Sequence, residues 1–166
     1  YDGTTNADIS SVTFDNVTLN QDTDYTVTAS FDDASVGERK SINATVSLME
    51  QIAKNYFLEQ NSFLTTGSIT KAAAPTNIQS GTLTITNGLH KTYSFDLSTL
   101  LPKLTAPCDY GTITYDKKVD TNLGVGSFIA LVNGKTGELT LEANRSGTDE
   151  GQFGTITVTI STSNYQ

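Results

Sequence analysis

One thiol and one imidazole, Cys108 and His90, are all the chain offers for a nucleophile–base dyad. A thiol becomes an effective nucleophile when a base within hydrogen-bond reach removes its proton. Neither residue sits in a recognisable nucleophile motif. Cys108 follows Thr105-Ala106-Pro107, a loop-like run, and reads as a loop cysteine beside a surface histidine. Two adjacent acid pairs, Asp32-Asp33 and Asp149-Glu150, raise glycoside hydrolysis. That chemistry needs two carboxyls about 5 to 10 Å apart across a cleft. Both pairs fall in turn-like runs, where Asp bonds its own backbone. No catalytic residue is therefore assigned.

Metal and ligand motifs are equally sparse. Asn20-x-Asp22-x-Asp24 has the opening spacing of an EF-hand loop, but Tyr25 takes the Gly position and Phe31 the bidentate Glu position. A shallow Ca²⁺ site at acidic turns or at a module junction is the one cofactor reading the acids leave open; otherwise no cofactor is implied. Leu101-Pro102-Lys103-Leu104-Thr105 has a superficial likeness to a sortase signal, without the apolar span and basic tail that should follow. It reads as a helix-to-loop connection. Phosphate-cradling Gly loops, CxxC pairs and basic aromatic grooves are missing from the sequence. Nothing singles out the three partners of a Lys–Asn isopeptide bond.

The composition sets what must position these groups. Of 166 residues 36% are hydrophobic, and Thr and Ser make up about a quarter. Thr is β-branched and suits a pleated, half-exposed surface. The net charge of −8 argues against nucleic acid or anionic lipid as the main partner. With one Cys there is no intrachain disulfide, and no apolar run approaches a membrane span. The sequence opens at Tyr1 without Met and closes just after a strand-like run, as expected of a piece of a longer protein.

Period-2 alternation dominates. It predicts strands over 9–14, 25–31, 42–48, 56–59 and 67–70, then 82–86, 92–97, 111–116, 126–132, 137–142 and 154–161. In the last, Ile156, Val158 and Ile160 point one way and Thr155, Thr157 and Thr159 the other. Asn133-Gly134-Lys135-Thr136-Gly137 is the strongest hairpin signal. Asn87-Gly88, Asp32-Asp33 and Ser146-Gly147 are weaker turns. Short helical pieces are expected within 47–56 and within 96–104, the second with Ser98 as N-cap and Pro102 early in the turn. Lys71-Ala72-Ala73-Ala74-Pro75-Thr76 reads as a linker.

The reading is all-β: two small β-sandwich, Ig-like modules in tandem, 1–74 and 75–166. The alternative for the first is a β-grasp-like fold with one short helix near 48–55. Its core is expected from Ile9, Phe14, Val27, Phe31, Ile42, Val46, Tyr56, Leu58 and Ile69. The second module's core is expected from Leu83, Ile85, Tyr93, Phe95, Ile113, Phe128, Ala130, Leu139, Leu141 and Ile156. Tyr25, Tyr110 and Tyr115 are the aromatic groups expected to be exposed for stacking on sugar.

The opening Tyr1-Asp2-Gly3-Thr4-Thr5 resembles the signature of the YDG domain, a repeat of bacterial surface and haemagglutinin-like proteins. Phe31-Asp32-Asp33-Ala34-Ser35-Val36-Gly37, Asn55-Tyr56 with Leu58, and Gly67-Ser68-Ile69-Thr70-Lys71 are similar to later parts of that pattern, so the resemblance spans 1–74. Where the family has a small Gly-rich turn, this chain has Met49-Glu50-Gln51-Ile52-Ala53-Lys54, which looks helical. The family carries no catalytic group across. The stretch from Phe128-Ile129-Ala130 through Thr136-Gly137-Glu138-Leu139, with Gly151 to Ile160, resembles the end of Ig-like or cadherin-like modules of bacterial surface proteins. These resemblances imply a non-catalytic extracellular module of a bacterial cell-surface protein, adhesive or spacer. The alternative is a carbohydrate-binding module attached to a secreted enzyme. The implied partners are host or cell-wall glycan or protein and neighbouring modules of the same chain, with no nucleic acid and no membrane insertion.

Overall fold

The structure is a computed structural model that describes residues 1–74, 81–82, 92–121, 128–143 and 154–166. Among the described residues it is predominantly β, with three small sheets and one short α-helix. The chain divides into two compact units: Tyr1–Ala72 with Ala106–Asp109, and Ala73–Thr105 with Tyr110–Gln166.

In the first unit, β1 (Tyr25–Phe31), β2 (Gly37–Leu48) and β3 (Ser62–Ile69) form an antiparallel sheet in the order β1-β2-β3. The alternation of β2 sets its two faces. Ile42, Ala44 and Val46 are buried, while Ser41, Asn43, Thr45 and Ser47 between them are exposed. Register carries the pattern across, pairing Val27 with Val46, Ala29 with Ala44 and Ala44 with Phe63. Tyr25 completes the buried set, and the Phe14 ring meets it edge-on at 4.9 Å.

Residues 9–14, expected as a strand, form none. Ile9 and Phe14, both expected in the core, are still half-buried. A ladder also needs a partner edge, and residues 5–7 take that of β1: Phe31 N–H donates to Thr5 O (2.7 Å) and Ala7 N–H to Ala29 O (3.2 Å). Residues 56–59 form no strand either. The Tyr56 N–H donates back to Ile52 O (3.0 Å), tying it to helix α1 (Glu50–Ala53). Tyr56, expected in the core, is 48% exposed. The helix falls within the expected 48–55 but is short, because β1 and β2 stay paired out to Tyr25 and Leu48.

The second unit has two layers. One is the sheet β4 (Thr92–Asp96), β7 (Glu138–Ala143), β6 (Phe128–Val132), in that order; the other pairs β5 (Ile113–Thr121) with β8 (Thr155–Thr162). Leu97, Tyr115, Ala130, Leu139 and Leu141 are buried between them, packed by Tyr93, Phe95, Val132, Ile156 and Val158. The hairpin joining β6 to β7 forms as the sequence predicts. Asn133 Oδ1 accepts from Lys135 N–H (3.0 Å) and Thr136 N–H (3.2 Å), and Gly137 closes the loop at φ +73°. A Cβ there would lie 2.6 Å from the Tyr115 ring, so space as well as dihedral calls for Gly.

The helical piece expected over 96–104 is one 3₁₀ turn, Leu97–Leu100. Its N-cap is Asp96, not Ser98: Asp96 Oδ1 accepts from Ser98 N–H at 2.9 Å. Pro102 lies beyond the turn. Leu101, the residue before it, is extended at ψ 131°, as a pre-proline residue prefers, and the turn stops there. The strand expected over 82–86, the turns at Asn87-Gly88 and Ser146-Gly147, and the core positions Leu83 and Ile85 lie wholly or largely outside the described residues.

Candidate functional site

The Tyr1-Asp2-Gly3-Thr4 turn is a densely bonded feature of the first unit's surface. Asp2 Oδ1 accepts from Thr4 N–H and from Thr4 Oγ1, both at 2.8 Å. Those bonds, the backbone one foremost, hold the Asp2 carboxyl below its ordinary range. Gly3 follows at φ +77°, and a Cβ on it would sit 2.7 Å from the backbone of Pro107. Left-handed backbone and close approach thus both require Gly here. The segment Ala106–Asp109 lies against this turn. The Tyr1 hydroxyl donates to Asp109 Oδ1 (3.3 Å) and accepts from Asp109 N–H (3.2 Å), and Cys108 Sγ lies 3.2 Å from Asp2 O. Tyr1 N donates to Thr70 O at 2.8 Å, joining the turn to the exit from β3. A shallow polar depression lies between Tyr1, Asp2, Asn6 and Ser68 to Thr70.

The first acid pair is built as a turn. Lys40 Nζ reaches Asp33 Oδ1 at 2.6 Å and Asp32 Oδ1 at 3.7 Å. Asp33 also accepts from the Ser35 hydroxyl and, at 2.8 Å, from Ser35 N–H. The Lys40 ammonium first, then Ser35, lower the Asp33 carboxyl to about 2. A carboxylate held this firmly ionised is a poor general acid.

The acidic turn with EF-hand-like spacing is likewise closed on itself. Asp24 Oδ2 accepts from Asn20 N–H (2.8 Å) and Asn20 Nδ2 (3.3 Å), while Asp22 N–H donates to Tyr25 O (2.8 Å). Among the described residues no three His, Cys, Asp or Glu are grouped to hold a metal ion.

The structure corrects the expected sugar-stacking residues. Tyr25 is 3% exposed and Tyr115 7%. Tyr110 is half-buried, its hydroxyl donating to Pro102 O at 2.7 Å and its ring 5.4 Å from that of Tyr165. Burial pushes the Tyr110 and Tyr115 phenols up, Asp96 adding to the shift of Tyr115. Among the described residues the exposed aromatics are Tyr56, Phe57 at 81% and Phe63 at 39%; sequence reasoning missed Phe57 altogether. Two neighbouring apolar residues in a run that makes no ladder were the available signal. His90 and the pair Asp149-Glu150 lie outside the described residues. The run Leu101-Pro102-Lys103-Leu104-Thr105 leaves the 3₁₀ turn as a loop, as expected. No described helix is long and apolar enough to cross a membrane.

Residues 1–63 match the family model of the YDG domain, which takes in the turn at Tyr1-Asp2-Gly3, β1, β2 and α1, and ends at Phe63 in β3. Neither a curated protein nor a solved structure gives a significant match.

Proposed function

We propose that this chain is a non-catalytic extracellular module of a bacterial cell-surface protein, with an adhesive or spacer role. The observation that carries this reading is how the polar groups of the first unit are used. Asp2, Asp24, Asp33 and Cys108 all bond to nearby backbone or to a lysine, as the parts of rigid turns do. The YDG-domain match and the net charge of −8 support the same reading. The second unit, with two layers around one core, takes the part of an Ig-like or cadherin-like neighbour. The partner is a host or cell-wall glycan or protein, and no cofactor takes part. Screening the chain on glycan, mucin and matrix-protein arrays tests this. Saturable binding without turnover assigns adhesion, and silence on all three assigns the spacer role. Sustained hydrolysis of any arrayed ligand overturns the proposal.

One observation favours a second reading, a carbohydrate-binding module. Phe57 is 81% exposed beside Tyr56, and paired exposed aromatics are what a pyranose face stacks on. Calorimetric titration with neutral polysaccharides measures it. Heat that disappears in Phe57→Ala supports this reading, and equal heat in the variant removes it.

A further inference from the structure

We infer that Asn16 is an acceptor for an N-linked glycan. The triplet Asn-x-Ser/Thr is what asparagine-directed glycosyltransferases read: the asparagine supplies the nucleophile, and the hydroxyl two residues on is the group recognised. The sequence holds three such triplets, Asn16-Val17-Thr18, Asn43-Ala44-Thr45 and Asn144-Arg145-Ser146. The motif alone does not rank them, and Asn144 lies outside the described residues. Exposure and pairing separate the other two. Residues 16–18 belong to no strand or helix. Asn16 sits in a turn at φ +63°, a left-handed backbone that Asn tolerates better than most residues. Asn16 and Thr18 are both exposed, and among the described residues neither side chain has a hydrogen-bond partner. Phe14, edge-on to Tyr25, and Val17 are half-buried, so they anchor the turn while the carboxamide and the hydroxyl stay in water.

The second triplet shows what a strand withholds. Asn43 and Thr45 are exposed too, but they lie in β2, the central strand. Asn43 pairs with Ser30 on one side and Leu64 on the other, and Thr45 with Thr28 and Ser62. Ala44 between them is 5% exposed. A transferase has to close around the backbone of all three residues, so the segment must be able to leave the surface. Drawing out 43–45 breaks two ladders and uncovers the core, whereas drawing out 16–18 breaks no ladder. The reaction takes a sugar activated by a bond from its anomeric carbon to a phosphate oxygen. Asn16 Nδ2 bonds to that carbon as the carbon–oxygen bond breaks. The amide gives one proton to a base of the transferase, and the nucleoside diphosphate or lipid pyrophosphate leaves with the bonding pair. The inference rests on the surface-module reading in one respect: chains bound for the cell surface are the ones such transferases meet.

Peptide-level mass spectrometry of the folded 166-residue chain, after incubation in two arms, tests this. One arm supplies a nucleotide-activated hexose with a soluble asparagine glycosyltransferase. The other supplies a lipid-linked oligosaccharide with its membrane transferase. Both enzymes are first shown to modify a synthetic peptide of residues 12–20. The expected result is sugar on Asn16 of the folded chain in at least one arm, at more than about tenfold the occupancy of Asn43. Asn16→Gln and, separately, Thr18→Val abolish it, while Thr18→Ser keeps it. Both positions are exposed, so the melting temperatures of these variants should match the parent. A folded chain left bare in both arms overturns the inference. So does equal occupancy of Asn43 and Asn16, transfer to Asn144 in place of Asn16, or transfer that survives Thr18→Val. The surface-module reading is tested apart from this: a chain that binds on the arrays yet accepts no sugar loses only the Asn16 site.

Discussion

The two units solve one problem with different amounts of material. The second closes two layers over a common core, with Leu97, Tyr115, Ala130, Leu139 and Leu141 buried between them. The first has a single sheet, buried on one face around Tyr25, Ile42, Ala44 and Val46, with its other face of Thr, Ser and Asn in water. A sheet with one wet face buries less apolar surface per residue, so local turns must hold more of its order. The turns at Asp2, Asp24 and Asp33 all belong to the first unit.

The comparison can be broken most directly in the second unit. Tyr115→Ala removes the ring that touches Gly137 and fills the space between layers; the expected loss is about 4 kcal/mol. Chemical denaturation measures that loss, and amide exchange should rise in β7 before β2. Equal acceleration in both strands would show that the units unfold as one.

In the first unit, Gly3→Ala forces a side chain into a left-handed turn against Pro107. The expected cost is about 2 kcal/mol, read by thermal melting, against less than about 0.5 kcal/mol for Phe57→Ser at an exposed position. A Gly3 variant as stable as the parent would mean that the turn does not brace the sheet.

A smaller effect should appear with pH. Asp33 has a folded-state pKa of about 2, below its ordinary 3.8, so folding favours its ionised form. Its contribution is complete above pH 3.8 and is lost as pH falls through about 2. The stability gap between the parent and Asp33→Asn should therefore close over that interval, and narrow with added salt because the site is exposed. A gap independent of pH would remove the Lys40 pair from the account. The smallest expected effect is none: adding EDTA should leave the melting temperature unchanged, since Asp24 and Asp33 already have protein partners. A drop on chelation would point to a bound Ca²⁺.

Much of the fold was legible. Strand β1 spans the residues its alternation marked, β8 falls within one residue of its expected bounds, and the Asn133–Gly137 hairpin forms as its turn chemistry requires. Alternation tells which side chains share a side, and turn residues tell where the chain reverses. Neither tells what lies opposite. Residues 9–14 alternate as a strand does, yet the edge they would have used is occupied by residues 5–7. Tyr25, Tyr110 and Tyr115 look alike in sequence to Tyr56, and only packing separates the buried from the exposed. The candidate site was less legible still. The Tyr1-Asp2-Gly3 signature could be read directly, but its second wall, Ala106–Asp109, comes from more than a hundred residues away.

By itself, then, the order of residues determined the β character, the strand faces and the local turns, because these depend on neighbours one to four positions apart. Tertiary structure alone decided that Cys108 lies against the Asp2 backbone and which aromatics meet water. Those outcomes depend on long-range contacts, whose partners are chosen by the packing of the whole unit.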